Sequence, residues 1–238
     1  MADPLITDFL ALARQLGSHP AGPVLWEEGS LARRVSDARF IITRRGAALA
    51  RTETADVVHL SLEKMTELSS MDRVAPEQLA ETKFNAHGPE PCADAGIAAL
   101  LLGLENVRYV AHVHPVIINQ ILASPRGRQF AERRVMPNEI VACGSSALLL
   151  DYADPGMPLA REARRKLAAF TERYQIAPKL VFVSNNGLFV LGVSAEDIVK
   201  TLDLTLKYAE IFMGAALLGG PVFLNPQSAL HIRNTKNI

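Results

Sequence analysis

The stretch Arg108-Tyr109-Val110-Ala111-His112-Val113-His114-Pro115-Val116 is rich in β-branched residues and carries two of the six histidines of the chain. β-branched side chains favour an extended strand. Side chains at positions i and i+2 of a strand leave the same face, so His112 and His114 are expected to direct their imidazoles to one point, with about 7 Å of backbone between them. This spacing predicts half of a divalent-metal site. The alternative is a pair of polar residues on the solvent face of an edge strand.

Polar segments on both sides of this strand offer further ligands. The segment Pro91-Cys92-Ala93-Asp94 precedes it across a short apolar helix, and the turn Asn185-Asn186-Gly187 follows it between two apolar strands. A metal site needs oxygen or nitrogen atoms that converge from separate elements. These two segments are the places from which such atoms would come.

Composition limits the class of protein. Of the 238 residues 49% are hydrophobic, enough for one sizeable core, and we favour a single domain over residues 1–238 rather than two small ones. The chain has 25 Lys plus Arg and 25 Asp plus Glu, so it has no net charge to attract nucleic acid or an anionic membrane. The expected partners are therefore small molecules or copies of the chain itself.

Location is predicted from what the sequence lacks. Its two cysteines, Cys92 and Cys143, are too few for a disulfide framework, and the N-terminus does not resemble a signal peptide. No apolar run reaches the roughly 18 residues needed to span a bilayer. A cytoplasmic protein is expected.

Hydrophobic periodicity predicts short strands and helices in alternation. Helices are expected over 4–16, 93–104, 115–122, 159–174 and 195–218, with one short helix in the loop 69–84. Strands are expected over 23–26, 39–43, 57–62, 135–143, 147–152, 180–183 and 188–191, in addition to the histidine strand. From residue 224 onward the chain is predicted to be an irregular tail.

Three segments carry a resemblance to a known family. Asn106-Val107-Arg108-Tyr109-Val110-Ala111-His112-Val113-His114-Pro115 resembles the metal-binding His-x-His strand of the class II aldolase/adducin family. Residues 179–197 resemble its Asn-His-Gly strand-turn-strand, and 39–49 its strand that ends in a Ser-Gly anion-binding turn. The resemblance extends over roughly residues 5–225 and implies an α/β fold of three layers, α-β-α, with a central, mainly antiparallel sheet. It also implies a homo-oligomer, commonly a tetramer, and a divalent cation, usually Zn²⁺, that stabilises an enediolate.

Several positions depart from the family pattern. The family has Gly-Asn-x-Ser where this chain has Gly29-Ser30-Leu31-Ala32, and Ser-Gly where it has Arg45-Gly46. The family's acid/base Glu corresponds to Asp94, and its third metal histidine to Asn186. By this correspondence the substrate would lie against Gly29, Ser30, Arg45 and Gly46. The metal ligands would be His112, His114, Asp94 and Asn186, with Asp94 also the catalytic residue.

The donor atoms determine which metals are suitable. Two imidazoles and one carboxylate with open positions suit Zn²⁺, Mn²⁺, Fe²⁺ or Co²⁺, whereas an asparagine is a weak neutral ligand.

Simpler roles remain open for each residue: Asp94 as a helix N-cap, Asn186 as a turn residue with positive φ, Arg44 and Arg45 as a solvated turn, and Cys92 as a buried thiol.

Two functions follow from these alternatives. The first is a metal-dependent lyase, of aldolase or decarboxylase type, that acts on a small hydroxy-keto or keto-acid substrate. The second is a family member that has lost its chemistry and persists as an oligomeric binding or scaffold protein.

Overall fold

The computed structural model of the chain describes residues 3–235, so the last three residues of the predicted tail lie outside the described range. Seven strands form one sheet in the order β3-β2-β1-β4-β7-β6-β5. All neighbouring strands pair antiparallel except β5 and β6, which are parallel. The strands are β1 Ser30–Arg34, β2 Arg39–Thr43, β3 Val57–Ser61, β4 Tyr109–Val113, β5 Leu148–Leu150, β6 Leu180–Val183 and β7 Gly187–Gly192. The predicted α/β fold with a mainly antiparallel sheet is confirmed.

Helices cover both faces of this sheet. They are α1 Pro4–Gly17, α2 Leu62–Leu68, α3 Pro76–Ala80, α4 Ala95–Leu102, α5 Val116–Leu122, α6 Gly127–Glu132, α7 Pro137–Cys143, α8 Met157–Tyr174, α9 Ala195–Leu217 and α10 Pro226–Thr235. One hydrophobic core lies between the sheet and α1, α5 and α9. A second lies between the other face of the sheet and α2, α4 and α8. Because side chains alternate along a strand, each strand contributes to both cores.

The first helix begins as the sequence predicts. Asp3 is its N-cap, and the carboxylate of Asp3 accepts a hydrogen bond of 2.9 Å from the Leu5 amide. Pro4 occupies the first helical position. A backbone N–H at this position has no partner within the helix, so proline costs no hydrogen bond there. Phe9, Leu12 and Leu16 recur at helical spacing and are buried against the sheet.

Three predicted elements are wrong. Residues 23–26 form no strand, because Trp26 has a φ of +53° that breaks the extended conformation, and the strand begins instead at Ser30. Residues 137–143 form helix α7, with Pro137 in its first turn. The predicted tail contains helix α10, which packs against α7.

The histidine strand lies in the middle of the sheet. β4 is flanked by β1 and β7, and all five of its residues are buried. The alternative of a solvent-facing edge strand is therefore wrong. The register places Ser30 and Phe189 directly opposite His112 on its two neighbours. Within residues 3–235, no helix has the length and apolar character needed to cross a membrane.

Candidate active site

A buried hydrogen-bonded group connects β1, β4 and the start of α4. The carboxylate Oδ2 of Asp94 accepts a bond of 2.7 Å from the Ser30 hydroxyl and lies 2.9 Å from Nδ1 of His112. All three residues are at least nine-tenths buried. The register that places Ser30 opposite His112 makes this arrangement possible, since residues directly opposite on neighbouring strands project to the same face.

Asp94 holds the N-cap position of α4, but its side chain makes no capping hydrogen bond. The alternative that Asp94 is only a helix cap is therefore wrong. Its side chain is bonded instead to the imidazole that the sequence analysis placed in the metal site.

His114 lies one residue past the end of β4 and is held by the turn before β7. Its Nδ1 is 2.9 Å from the carbonyl oxygen of Asn186, and its amide donates to the Pro23 carbonyl at 2.6 Å. A Cβ at Gly187 would lie 2.8 Å from Nδ1 of His114 and 2.6 Å from the Val113 carbonyl oxygen. Only glycine fits at Gly187, because the turn must approach His114 this closely.

Asn186 contributes to this contact through its backbone. The left-handed position of the turn is Asn185, with a φ of +57°, so Asn186 is not the residue that adopts positive φ. The half-buried amide of Asn186 makes no side-chain hydrogen bond to any residue between 3 and 235. Its amide oxygen therefore remains available to a ligand.

The hydrogen bonds fix the protonation of both imidazoles. A carbonyl oxygen and an ionised carboxylate only accept, so Nδ1 of each histidine must carry the proton. In the neutral form of each ring, Nε2 is then the nitrogen that presents a lone pair. Nε2 of His112 is buried and has no hydrogen-bond partner in the described part of the chain, and the two ring centroids are 4.4 Å apart. Histidines held in this way by oxygen atoms are typical metal ligands.

The charges agree with this assignment. Burial alone raises the pKa of Asp94, but the facing His112 and Ser30 outweigh it, so the pKa lies below its ordinary value of 3.8. Burial, and then repulsion from His112, lowers the pKa of His114 below 6.5, although the Asn186 carbonyl acts in the opposite direction. At neutral pH the site therefore contains a carboxylate and a neutral His114.

Phe189, which the sequence alone does not single out, stacks on His112. Their ring centroids are 4.0 Å apart and the rings are tilted by 11°. Phe189 is fully buried, so it fixes the imidazole plane from the side of β7. The alternation of 187–191 is visible in the sequence, but only the register between β4 and β7 identifies which phenylalanine lies opposite His112.

The residues predicted to contact substrate lie around the same strand ends. Gly29 has a φ of +78°, and a Cβ there would lie 2.6 Å from the His112 carbonyl oxygen. The backbone just before β1 therefore packs directly against the backbone of β4. Gly46 has a φ of +70° and faces the Glu27 carboxylate, whose Oε2 would lie 3.4 Å from a Cβ. No local sequence signal places Glu27 at this turn.

The two arginines of the turn have different environments. Nε of Arg44 donates to Asp56 and its Nη1 donates to the Arg45 carbonyl at 2.8 Å, so Arg44 is a structural residue rather than a solvated one. The Arg45 side chain is exposed and makes no hydrogen bond or salt bridge with any residue in the range 3–235. Of the two, Arg45 is the one able to meet an anionic group.

Cys92 is close to the carboxylate but is not activated. Burial, and then the negative charge of Asp94, raise the pKa of its thiol to about 12, against weaker opposing contacts from Ser30 and Thr43. A thiol of this kind is almost entirely protonated at neutral pH. Cys92 is partly rather than fully buried, and its raised pKa is consistent with the interpretation of an inert thiol.

The side chains at this site supply only some of the ligands that a metal ion needs. Within residues 3–235, no group of three or more His, Cys, Asp and Glu side chains is placed to hold a metal ion. The two Nε2 atoms and the free amide of Asn186 form an incomplete set of donors. Oδ2 of Asp94 is already engaged by Ser30 and His112, so in this arrangement Asp94 orients a ligand.

Comparison with known proteins identifies the family. The class II aldolase and adducin N-terminal domain matches residues 9–213. The chain therefore belongs to the class II aldolase/adducin family, whose aldolases generally depend on a divalent metal. No curated protein matches the chain.

Solved structures share this fold. An L-fuculose 1-phosphate aldolase is similar with a TM-score of 0.73 and 13% identity, over 100% of this chain and 99% of that one. YgbL of Escherichia coli has a TM-score of 0.70 and 16% identity, over 96% and 97%. The class II aldolase domain of a Thermoplasma acidophilum protein has a TM-score of 0.67 and 16% identity, over 90% and 95%. At these identities the likeness shows an aldolase-type fold.

Proposed function

We propose that the protein is a divalent-metal-dependent lyase of aldolase or decarboxylase type that acts on a small hydroxy-keto or keto-acid substrate. One observation supports this most strongly: both histidines of the pair are bonded through Nδ1 to oxygen, which leaves both Nε2 lone pairs for a cation. A buried nitrogen without a partner is unfavourable unless a ligand satisfies it.

His112 and His114 would hold the cation through Nε2, with the Asn186 amide oxygen as a weaker donor. Zn²⁺ is the favoured ion, and Mn²⁺, Fe²⁺ and Co²⁺ also suit nitrogen and oxygen donors. When bound, such a cation polarises a carbonyl and stabilises an enediolate.

Asp94 has two roles in this proposal. Its Oδ2 fixes the Nδ1–H tautomer of His112, and the second carboxylate oxygen, Oδ1, makes no hydrogen bond in the described range. Oδ1 is the atom that would complete the metal site or move a proton at the substrate. Gly29 and Gly46 shape the site, while the Ser30 hydroxyl and the Arg45 guanidinium would bind the substrate's oxygens or carboxylate.

We further propose a cytoplasmic protein of one domain, residues 1–238, that assembles as a homo-oligomer of four chains, as the family resemblance implies. Light scattering tests the assembly. A mass near that of one chain, 25.9 kDa, would contradict it.

A specific observation also favours the scaffold alternative. Asn186 stands where the family pattern has a third histidine, and no three strong donors converge in residues 3–235. A chain with this site could retain the fold and the assembly without the reaction.

Calorimetric titration with Zn²⁺ separates the two functions. The lyase proposal predicts one Zn²⁺ per chain, abolished by His112→Ala, unchanged by His87→Ala on the exposed loop, and tighter in Asn186→His because that change restores an imidazole donor. If the protein binds no divalent cation and Asn186→His does not restore binding, the lyase proposal fails and the scaffold function becomes the better one.

A further inference from the structure

A cavity of about 900 Å³ lies at the end of the sheet opposite the histidine pair. Its wall includes Val107, just before β4, and Gly192, the last residue of β7. His114 and Gly187 lie at the other ends of the same two strands. His114 follows Val107 by seven positions, which corresponds to about 23 Å of extended chain. The cavity is therefore distinct from the candidate active site.

Two cations line this cavity without a carboxylate partner. Nζ of Lys179 donates to the Ala142 carbonyl at 3.1 Å, and Nη1 of Arg233 donates to the Tyr174 carbonyl at 3.3 Å. Neither side chain forms a salt bridge within residues 3–235. A carbonyl satisfies a donor but does not neutralise its charge, so both half-buried residues retain positive charge toward the cavity.

The acidic residues of the cavity do not cancel these charges. Oδ2 of Asp197 accepts a bond of 3.1 Å from the Val193 amide, which is part of the N-terminal cap of α9. Glu105 is exposed to solvent beside β4. Neither carboxylate pairs with Lys179 or Arg233.

Apolar side chains form much of the remaining wall. Three of them are unusually exposed for their type: Val141 at 44%, Ile176 at 38% and Val193 at 50%. The half-buried Ile232 of α10 continues this surface, and the buried Ile140 of α7 also lines the cavity. A ligand with an apolar body would bury this area, which otherwise contacts water.

A buried serine among the residues that line the cavity offers a further hydrogen-bonding group. Ser146 is 4% exposed, and its Oγ makes only a long contact of 3.5 Å with the Ala147 carbonyl oxygen. Hydroxyl hydrogen bonds are normally about 2.7–2.8 Å long. Ser146 is one of the residues that line the cavity, so its weakly bonded hydroxyl is a candidate donor to a ligand oxygen.

We propose that this cavity is a second ligand site, for a small amphipathic organic carboxylate. Its volume falls in the range of about 300–1,000 Å³ typical of small-molecule sites. Lys179, Arg233 and Ser146 would hold the carboxylate, since charge-assisted hydrogen bonds are the strongest a protein offers to such a group. Ile140, Val141, Ile176 and Ile232 would enclose the apolar chain.

Calorimetric titration of the full chain with octanoate tests this site, with octan-1-ol and octylamine as probes of the same chain length. Octanoate is expected to bind with a stoichiometry of one, whereas the alcohol and the amine bind at least tenfold more weakly. Removing both charges in Lys179→Met/Arg233→Met is expected to weaken octanoate binding by about tenfold or more, the loss of charge-assisted bonds.

Three further variants make the result specific. Arg51→Met/Lys200→Met removes the same charge at exposed residues outside the cavity and is expected to leave octanoate binding unchanged. Val141→Trp fills the cavity from an exposed position without changing charge and is expected to weaken binding as well. His112→Ala, at the other end of the sheet, is expected to leave it unchanged.

Several outcomes would overturn the inference. These are no binding of octanoate, equal binding of all three probes, equal loss in the two double variants, or loss in His112→Ala. Thermal melting of each variant establishes that it is folded before its binding is interpreted, and Val141→Trp keeps the test decisive if the double variant does not fold.

Discussion

Asp94→Asn tests the buried hydrogen-bonded group that orients His112. The change keeps the size of the side chain and removes its negative charge. The carboxylate accepts two bonds, of 2.7 Å from Ser30 and 2.9 Å from His112, and both become bonds to a neutral amide. A bond to a charged group contributes about 1.5–3 kcal/mol, against about 0.5–1.5 kcal/mol for a neutral one.

The two bonds together therefore lose about 2 kcal/mol, and the smaller desolvation penalty of an amide offsets part of that loss. We expect Asp94→Asn to lower the free energy of unfolding by about 1–2 kcal/mol at pH 7. For a chain of this size, that corresponds to a decrease in Tm of about 2–8 °C. Urea denaturation and thermal melting measure the two quantities.

The stabilisation that the Asp94 carboxylate provides should decrease as the pH falls. The folded-state pKa of Asp94 lies below its unfolded value, so the carboxylate stabilises the fold above the unfolded pKa and this contribution is lost as the pH falls through the folded pKa. The difference between wild type and Asp94→Asn should therefore be full at neutral pH and decrease below the ordinary value of 3.8.

Asp203→Asn is the matched control. Asp203 also lies 2.7 Å from a histidine, His19, but its side chain is 53% exposed. An exposed pair contributes about 0–1 kcal/mol. If the two variants are equally stable, or if the stability difference from wild type does not decrease in acid, Asp94 does not stabilise the fold through His112 and Ser30.

Three other changes are expected to have measurable effects. Gly187→Ala places a Cβ 2.6 Å from the Val113 carbonyl oxygen, so it should lower the free energy of unfolding by about 1–3 kcal/mol in urea denaturation, and an unchanged midpoint would contradict the tight turn. Arg134→Met removes a buried guanidinium that donates to four backbone carbonyls and lies 3.7 Å from the buried Glu139 carboxylate, and should destabilise the protein by about 3–5 kcal/mol in the same assay because it leaves that charge unpaired. Cys92, with its pKa of about 12, should resist iodoacetamide at pH 8 in the native protein and react once it is unfolded; mass spectrometry that finds rapid native labelling would be inconsistent with this raised pKa.

The sequence predicted the elements whose signal is local. The β-branched run of β4 and the alternating residues of β6 and β7 read as strands because their side chains suit a buried pleated surface. Strand β1, Ser-Leu-Ala-Arg-Arg, has little strand propensity, and its pairing with β2 and β4 decides its conformation. Residues 135–143 contain Val135, Ile140 and Val141, which suggest a strand, yet Pro137 begins a helix that buries Ile140 and Cys143 on one side.

The candidate site was predictable as a set of residues but not as an arrangement. The spacing of His112 and His114 identified the pair, and the family resemblance pointed to Asp94 and Asn186. That Asp94 bonds to Ser30 and His112, and that the Asn186 backbone rather than its side chain contacts His114, follows from strand register and turn geometry. Neither has a local sequence signal.

The tautomers of His112 and His114 test the central claim most directly. Two-dimensional ¹H–¹⁵N NMR of the protein with labelled histidine distinguishes a protonated from an unprotonated ring nitrogen. The arrangement predicts that Nδ1 of both rings carries a proton at pH 7.5, and that both Nε2 resonances, but not those of the other histidines, shift when Zn²⁺ is added. Protons on Nε2, or Nε2 resonances that Zn²⁺ leaves unmoved, would contradict the claim that this pair presents its lone pairs to a cation.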